Sequence, residues 1–338
     1  MKRTVFAYSR RGCETAQRVM AALPGDWRAY APERLAAGAF APLPKPSARL
    51  YSQRFADSDA LVFVGSCGIA VREIAPWVRS KCADPAVLCV DEWGSFVIPL
   101  LSGHIGGANA LARQLAAALD ATAVITTATD INGRFSVDAW AAENGMTIDD
   151  MAAAKAVSAG ILERDIPLWS DFPVSGPLPA GTVPGERGPL GIYITCTTAR
   201  PFDRTLRLIP RRLHLGIGCR RGASATAIAA AVESVLSCSG LDIRAVKDVA
   251  SIDLKAEEPG LLEFCSRMGW PVGFYTAEEL SAVPGDFTPS DFVRSVTGVD
   301  NVCERAALAG GGELIVRKTA ADGVTVAAAM EKTEVRFG

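Results

Sequence analysis

The segment LLSGHIGGANALARQLAAAL, residues 100–119, holds one of only two histidines in the 338-residue chain. His104 follows Gly103 and precedes two further glycines, immediately before a predicted helix. Free backbone N–H groups and the helix dipole favour an anion at such a position. This positive environment predicts a neutral, basic imidazole, the form that a general base or hydrogen-bond acceptor needs. A tight turn in which the histidine caps the backbone is the alternative interpretation.

Acidic and amide side chains follow two predicted strands. Asp91 and Glu92 come directly after the buried strand AVLCV. Asp130 ends the segment TAVITTATD, and Asn132 follows it. Ligands of open α/β sheets bind at the carboxyl edge of the strands, so all four side chains are expected at one edge. There Asp91 or Asp130 could orient His104 or activate water. Ordinary turn chemistry of Asp and Asn explains the same pattern.

The loop GSCGIAVR, residues 65–72, joins a predicted strand to a predicted helix. Cys67 lies near the helix N-terminus, where a thiol can have a lowered pKa and act as a nucleophile, and Arg72 lies one turn into the helix. No partner residue is close in the sequence. A small packed loop residue is therefore the competing interpretation of Cys67.

The loop GIGCRRG, residues 216–222, has the spacing G-x-G-x-x-x-G, and no acidic residue ends the following strand. Both features argue against a nicotinamide site. The loop still offers backbone donors beside two arginines, and it ends an arginine-rich run. The run contains Arg200, Arg204, Arg207, Arg211, Arg212, Arg220 and Arg221. Guanidinium groups bind carboxylates bidentately, so the run predicts a polycarboxylate ligand, with a solvated connector as the alternative.

The candidate site residues fall into two groups. The catalytic candidates are His104, Asp91 and Asp130. The substrate-binding candidates are Gly65, Gly68, Arg72, Ser102, Gly103, Gly106, Gly107, Asn109, Thr127, Asn132, Gly218, Arg220 and Arg221.

Strand and helix patterns alternate along the first third of the chain. Apolar runs at 60–65 and 86–90 predict buried strands, and leucines spaced four apart predict an amphipathic helix over 108–119. A further strand is predicted to end at Thr126 or Thr127. This alternation is typical of a parallel sheet with helices on both faces.

Residues 173–191 carry ten glycines or prolines in nineteen positions and predict a long irregular loop. Strand-helix alternation then resumes at LHLGIG, residues 213–218. We therefore predict an α/β fold in three domains. An N-terminal doubly wound, mostly parallel sheet domain spans 1–133, and a small middle α/β domain with the long Gly/Pro-rich loop and the arginine-rich connector spans 134–210. A C-terminal α/β domain that binds carboxylates spans 211–338.

Composition narrows the function. A net charge of −2 and a pI near 5.9 argue against a nucleic-acid-binding protein. Nine cysteines without a C-x-x-C pair fit reduced thiols, and two histidines 110 positions apart argue against a zinc site built by the protein. No segment approaches about 18 uninterrupted apolar residues, and the N-terminal apolar run is too short for a secretory signal. We therefore expect a cytoplasmic protein that does not span a membrane.

Taken together, these motifs resemble a known family. GSCGIAVREIAPWVRSKCADPAVLCVDEWGSFVIPLLSGHIGGANALARQLA and VITTATDINGRFSVD are similar to the cobalt-precorrin-5A hydrolase (CbiG) family of the anaerobic cobalamin pathway. LGIGCRRGASATAIAAA, ASIDLKAEEPGLLEF, AEELSAVPG and GGELIVRKTAADGVTVA resemble the last domain of that family. The resemblance covers nearly the whole chain and is weakest over 1–50 and 150–205.

The resemblance implies a hydrolase that opens the ring A δ-lactone of a cobalt-containing, ring-contracted tetrapyrrole. Release of the C20 carbon with its methyl group, as acetaldehyde, would give cobalt-precorrin-5B. His104 could supply the base for water, and the N–H groups of Gly106 and Gly107 could stabilise the oxyanion. Cobalt arrives with the substrate, so no cofactor is expected, and other cobalamin-pathway enzymes are candidate partners. A corrinoid carrier without chemistry and a nucleotide-dependent oxidoreductase are the alternatives.

Overall fold

The structure, a computed structural model, describes residues 1–80 and 83–337, and its internal contacts divide the chain into two units. The N-terminal unit is Met1–Ala142 and the C-terminal unit is Glu143–Gly338. Each unit is a mixture of helices and mostly parallel sheets. The finer division into three domains stays a prediction. Within the described ranges, no helix has the length and apolar character needed to cross a bilayer.

One seven-stranded sheet with helices on both faces forms the N-terminal unit. Its strands are β1 (Lys2–Ala7), β2 (Asp26–Ala31), β3 (Phe40–Pro42), β4 (Ala60–Val64), β5 (Ala86–Val90), β6 (Phe96–Leu101) and β7 (Thr122–Ala123). Its helices are α1 (Arg10–Ala22), α2 (Ala48–Asp57), α3 (Cys67–Ile74), α4 (Ala108–Leu119), α5 (Ala128–Ile131) and α6 (Val137–Glu143). The strand order is β3-β2-β1-β4-β5-β6-β7. Strands β1 to β5 are parallel, whereas β6 is antiparallel to β5 and β7 is parallel to β6.

The core of this unit lies on both faces of the sheet. Every residue of β4 and β5 is buried, as expected for central strands of a sheet covered on both sides. Val62 and Val64 pack with α1 and α4 on one face, while Leu61 and Phe63 pack with α2 and α3 on the other. The predicted helix over 108–119 is confirmed as α4.

The connection from β5 to β6 decides which edge each candidate residue reaches. Only residues 91–95 join the two strands, and a crossover between parallel strands needs a dozen residues or more. Strand β6 therefore runs back along β5, so that Leu101 pairs with Val87. The loop 102–107 thus leaves at the amino edge of the parallel strands, whereas Asp91 leaves at the carboxyl edge.

Two five-stranded sheets and one short strand pair make up the C-terminal unit. Its strands are β8 (Thr147–Ile148), β9 (Ile166–Ser170), β10 (Val174–Ser175), β11 (Thr182–Pro184), β12 (Gly191–Ile194), β13 (Thr205–Ile209), β14 (Leu213–Cys219), β15 (Val246–Ile252), β16 (Val272–Tyr275), β17 (Glu313–Ala321), β18 (Val324–Met330) and β19 (Val335–Arg336). Its helices are α7 (Met151–Gly160), α8 (Ala225–Cys238), α9 (Pro259–Met268), α10 (Ala277–Ala282), α11 (Asp291–Thr297) and α12 (Val302–Ala309). The sheet orders are β11-β9-β12-β13-β8 and β16-β15-β14-β18-β17, and β10 pairs with β19.

Two sequence predictions of local structure are wrong. The segment 173–191 is not one irregular loop, because β10 and β11 lie within it and β11 pairs with β9. Pro184 is tolerated because β11 is an edge strand, whose outer N–H positions need no partner in the sheet. The strand predicted to reach Thr126 or Thr127 ends at Ala123, since the chain leaves the sheet there to begin α5.

Helix α12 packs unusually close to β14. A Cβ atom at Gly216 would overlap the carbonyl oxygen of Cys303 and crowd the backbone nitrogen of Ala307. Only glycine therefore permits this contact between the backbones of the strand and the helix. The contact fixes the position of α12 on the sheet.

Candidate active site

The loop 102–107 closes onto the start of α4 through its own backbone groups. The carbonyl oxygen of Gly103 accepts a hydrogen bond from the N–H of Asn109 at 2.9 Å. The N–H of Gly107 donates to the carbonyl oxygen of His104 at 2.8 Å. The N–H groups of Gly107 and Asn109, both near the predicted anion position, are thus already hydrogen-bonded within the turn.

Close packing and backbone strain shape the same loop. Ser102 has a φ of 56°, in the left-handed region, and its hydroxyl donates to the carbonyl oxygen of Asp84 at 2.9 Å. A Cβ atom at Gly106 would overlap the Cβ of Ser102. Strained residues held by their surroundings often occur at functional sites. Because of the overlap with Ser102, only glycine fits at position 106 of this turn.

The ring of His104 lies between two carboxylates. Its Nε2 is 2.9 Å from Oδ2 of Asp130, and its Nδ1 is 3.0 Å from Oδ1 of Asp138. The three side chains are only 15%, 12% and 5% exposed, respectively. Of the two carboxylates considered from the sequence, the structure brings Asp130 to the histidine, and it adds Asp138, which the sequence did not single out.

The electrostatic surroundings of His104 differ from the prediction. The hydrogen bond with Asp138 raises the pKa of His104 above its usual value, against burial, which alone would lower it, and Asp130 adds to the rise. The helix N-terminus was expected to favour the neutral ring, whereas the two carboxylates favour the protonated one. Two adjacent carboxylates outweigh the partial positive charge of a helix end.

Asp130 is held by α4 as well as by His104. Its Oδ2 accepts a hydrogen bond from Nδ2 of Asn109 at 3.0 Å, and its Oδ1 pairs with the guanidinium of Arg113. Burial would raise the pKa of Asp130, but the bonds from Arg113 and His104 outweigh it and lower the pKa. Asn109 and Arg113 are four residues apart, so they share one face of the helix. That spacing was a usable sequence signal for Arg113.

Hydroxyl groups complete the cluster. The Oγ of Ser136 lies 3.3 Å from Nε2 of His104 and donates to Oγ1 of Thr129 at 3.0 Å. Thr129 Oγ1 is in turn 3.5 Å from the same ring nitrogen. Thr127, a predicted binding residue, accepts a hydrogen bond from Asn109 at 2.8 Å. The term "His104 cluster" below denotes His104, Asn109, Arg113, Thr127, Thr129, Asp130, Ser136 and Asp138.

Asp91 lies at the other edge of the sheet. Its carboxylate accepts hydrogen bonds from the backbone N–H groups of Trp93, Ser95 and Phe96 at 3.1, 2.7 and 2.6 Å. It therefore stabilises the turn between β5 and β6. The five-residue strand β5, about 16 Å long, runs from this edge to the amino edge, where the chain leaves β6 for His104. The expectation that all four polar residues share one edge is wrong, because β6 runs antiparallel.

The loop 65–72 also lies at the carboxyl edge, where β4 ends. Arg72 donates to the carbonyl oxygen of Gly68 within its own helix at 3.2 Å. Cys67 is half-buried, and its neighbour Cys89 has a pKa raised to about 12, first by burial and then by Cys67. The structure thus separates Gly65, Gly68 and Arg72 from the His104 cluster. Asn132 is exposed, and its side chain donates to the carbonyl oxygen of Ala128 at 2.9 Å.

The C-terminal unit contains a cavity of about 850 Å³ at the carboxyl edge of β14 and β15. Gly218, Arg220 and Arg221 line it, as the sequence predicted for a binding site, and Lys255 and Lys318 add two cations that the sequence analysis did not identify. Apolar side chains form much of the remaining wall: Ile252, Leu254, Val293, Val296, Val302 and Val324. The cavity therefore combines an apolar interior with four cationic groups.

The arginines of the arginine-rich run lie in two kinds of environment. Arg207 is buried and pairs with Asp149 at 3.0 Å and with Asp242 at 2.9 Å. Burial would raise the pKa of Asp242, but arginine hydrogen bonds lower it to about 2. Arg200 and Arg212 are also engaged in ion pairs within this unit. The run thus contributes two arginines to the cavity and several to internal ion pairs that stabilise the fold.

In the part of the chain that the structure describes, no group of three or more His, Cys, Asp or Glu side chains is placed to hold a metal ion.

Comparisons with known proteins agree with the motifs. The family model described as Cobalamin synthesis G N-terminal matches residues 49–130, and the one described as Cobalamin synthesis G C-terminus matches 213–329. The chain is 35% identical over 337 residues to the cobalt-precorrin-5A hydrolase of Salmonella typhimurium, covering 95% of each protein. It is 33% identical over 300 residues to that of Priestia megaterium, covering 82% of this chain and 79% of the relative. The solved structure of a cobalamin biosynthesis protein G homologue from Sulfolobus solfataricus covers 97% of both chains at 23% identity, with a TM-score of 0.41.

The matched regions contain the geometry described above. Residues 49–130 include His104 and Asp130, and residues 213–329 include the whole lining of the cavity. The family resemblance inferred from the motifs is confirmed. With relatives above 30% identity over most of its length, the chain belongs to the cobalt-precorrin-5A hydrolase (CbiG) family.

Proposed function

We propose that this chain is a cobalt-precorrin-5A hydrolase, which opens the ring A δ-lactone of its cobalt tetrapyrrole substrate and releases acetaldehyde. The observation that supports this most directly is the His104 ring, partly open to solvent and held between Asp130 and Asp138. Opening a lactone and breaking the C20 bond both need proton transfer, for which a positioned histidine is the usual group. The names of the full-length relatives support the same reaction rather than a carrier without chemistry.

The cavity of the C-terminal unit is proposed to bind the macrocycle. A tetrapyrrole offers a flat apolar ring with acetate and propionate arms. The cavity offers apolar walls for the ring and Arg220, Arg221 and Lys318 for the carboxylates, whereas Lys255 is paired with Glu258 at 3.1 Å. Cobalt is carried by this substrate, so we propose no cofactor of the protein itself.

The reaction has two parts. Water adds to the lactone carbonyl carbon, the acyl C–O bond breaks, and a carboxylate and a free hydroxyl result. Loss of the hydroxyl proton then drives cleavage of the bond to C20, which leaves as acetaldehyde while the bonding electron pair stays on the macrocycle. We propose that the His104 cluster handles the protons of both parts.

Anaerobic incubation with cobalt-precorrin-5A and an aldehyde trap tests the proposal. The wild-type chain should release acetaldehyde, and His104→Ala should bind the corrinoid without releasing it. A carrier would bind the corrinoid and release no acetaldehyde even as wild type. Co-purification of a nicotinamide or flavin would instead support the oxidoreductase alternative.

A further inference from the structure

We propose that Asp138 is a positioning residue that holds His104 as an imidazolium, so that the ring first donates a proton and then takes one back. This inference rests on the proposed function, but its geometric part can be tested without turnover. Asp138 is the last residue of the segment VITTATDINGRFSVD and lies outside the residues that the family models match.

The geometry at the ring requires two N–H groups. Nε2 and Nδ1 each face a carboxylate oxygen, of Asp130 at 2.9 Å and of Asp138 at 3.0 Å. A neutral ring carries one N–H only, so its other nitrogen would direct a lone pair at an anionic oxygen. An imidazolium donates to both carboxylates, and both bonds are charge-assisted.

Charged and polar groups surround the ring on both sides. Asp130, on α5, is also paired with the guanidinium of Arg113 on α4. Asp138, in the first turn of α6, is 5% exposed, and its Oδ1 lies 3.0 Å from Nδ1 of His104. The hydroxyls of Thr129 and Ser136, near Nε2, are uncharged. An adjacent cation stabilises a buried carboxylate, so both carboxylates favour the protonated ring.

An imidazolium fits the order of the chemistry. When the acyl C–O bond breaks, the leaving lactone oxygen takes the proton from Nε2, and the ring becomes neutral with Nδ1–H still bonded to Asp138. Both protons of the attacking water pass to solvent, one as the water adds to the carbonyl carbon and the other as the new carboxylic acid ionises. In the second part, Nε2 takes the proton of the new hydroxyl as the C–C bond breaks. Acetaldehyde leaves, the electron pair remains on the macrocycle, and the imidazolium is restored.

Imidazole nitrogen NMR of the full chain tests the charge state directly, because the chain contains only two histidines, His104 and His214. The His104 signals are assigned by their disappearance in His104→Gln. At pH 7.5 both nitrogens of His104 should show the shifts of a protonated ring. Asp138→Asn should weaken proton binding to His104 by about tenfold or more. The matched control Asp91→Asn, at the other edge of the sheet, should leave this titration unchanged.

Kinetics then connect the charge state to the reaction. Asp138→Asn should lower acetaldehyde release by about 10- to 100-fold at pH 7.5 and move the alkaline limit of the rate to lower pH. Asp138→Glu, which keeps the charge, should restore part of the rate and the alkaline limit. A neutral His104 in the wild type at pH 7.5, or a titration that Asp138→Asn does not change, would overturn the inference. If the wild type shows the protonated ring but releases no acetaldehyde from cobalt-precorrin-5A, the proposed function fails instead.

Discussion

The His104 cluster and the cavity of the C-terminal unit differ in how their charged side chains are paired and exposed. In the cluster, Asp130 and Asp138 are bonded to cations or polar donors, and the side chains are largely buried. In the cavity, Arg220 and Arg221 are exposed beside an apolar wall. A cluster with paired charges holds a proton in a defined place, whereas exposed cations remain available for an anionic ligand.

Buried, paired charges suit proton transfer, whereas exposed arginines suit the binding of an anionic ligand. Changes in the cluster should affect turnover, and changes in the cavity should affect affinity. If both kinds of variant changed the same quantity, the comparison would fail.

The largest expected effect is on turnover, from Asp130→Asn. This variant removes the charge that Arg113 and His104 share, and it should reduce acetaldehyde release by about 10²- to 10⁴-fold, the usual contribution of proton-transfer catalysis. Corrinoid affinity, measured by absorbance titration, should stay close to that of the wild type. A loss of affinity as large as the loss of turnover would show that the cluster also binds the substrate.

A smaller effect is expected in the cavity. Replacing both Arg220 and Arg221 by alanine should raise the dissociation constant for the corrinoid by about 10- to 100-fold, because charge-assisted bonds to carboxylates are lost. Turnover at saturating substrate should change much less. The control is Arg211→Ala, which removes an exposed arginine of the same run outside the cavity lining. Equal weakening by this control would indicate a general charge effect.

A third variant, Asp91→Asn, changes a carboxylate that lies outside both the His104 cluster and the cavity. Asp91 accepts three backbone hydrogen bonds in the turn after β5, so the variant should destabilise the protein by about 1 kcal/mol, as for the loss of a capping carboxylate. The urea midpoint should fall, whereas acetaldehyde release should fall far less than in Asp130→Asn. Losses of turnover of similar size would restore Asp91 as a catalytic candidate.

The smallest expected effect is the pH dependence of stability. The folded-state pKa of His104 is raised, so its contribution is present below its unfolded pKa and is lost as pH rises through the folded value. The pKa of Asp130 is lowered, so its contribution is present above its unfolded pKa and is lost as pH falls through the folded value. The stability difference between wild type and His104→Gln should therefore be about 1 kcal/mol larger near pH 5.5 than near pH 9. Urea denaturation at both pH values measures this difference, and a difference that grows toward pH 9 would contradict the assignment.

Periodicity was sufficient to predict the elements that carry the site, but not the direction in which they run. The leucines of α4 and the apolar runs of β4 and β5 were interpreted correctly. The reversal at β6 was missed, although the five residues between β5 and β6 contain the signal, since so short a connection joins antiparallel strands. Without that reversal, Asp130 and Asn132 were placed at the carboxyl edge beside Asp91, whereas β6 and β7 both lead the chain to the amino edge.

Within the site, the pairing of His104 with Asp130 was among the sequence-based alternatives, whereas Asp138 was not. The importance of Asp138 comes from a contact with a residue 34 positions away, which no local pattern encodes. The direction of the shift in the pKa of His104 was missed for the same reason. A helix end is visible in the sequence, but the second carboxylate that overrides it becomes visible only in the fold.

The close approach of α12 to β14 at Gly216 limits how the cavity can adapt. The start of α12 and the end of β14 both line the cavity, and the backbone contact between them leaves no slack. The distance between these two walls is therefore fixed. Any accommodation of differently substituted ligands has to come from the other walls, formed by residues 252–255, α11 and the β17–β18 hairpin, so substitutions that broaden ligand range should accumulate there.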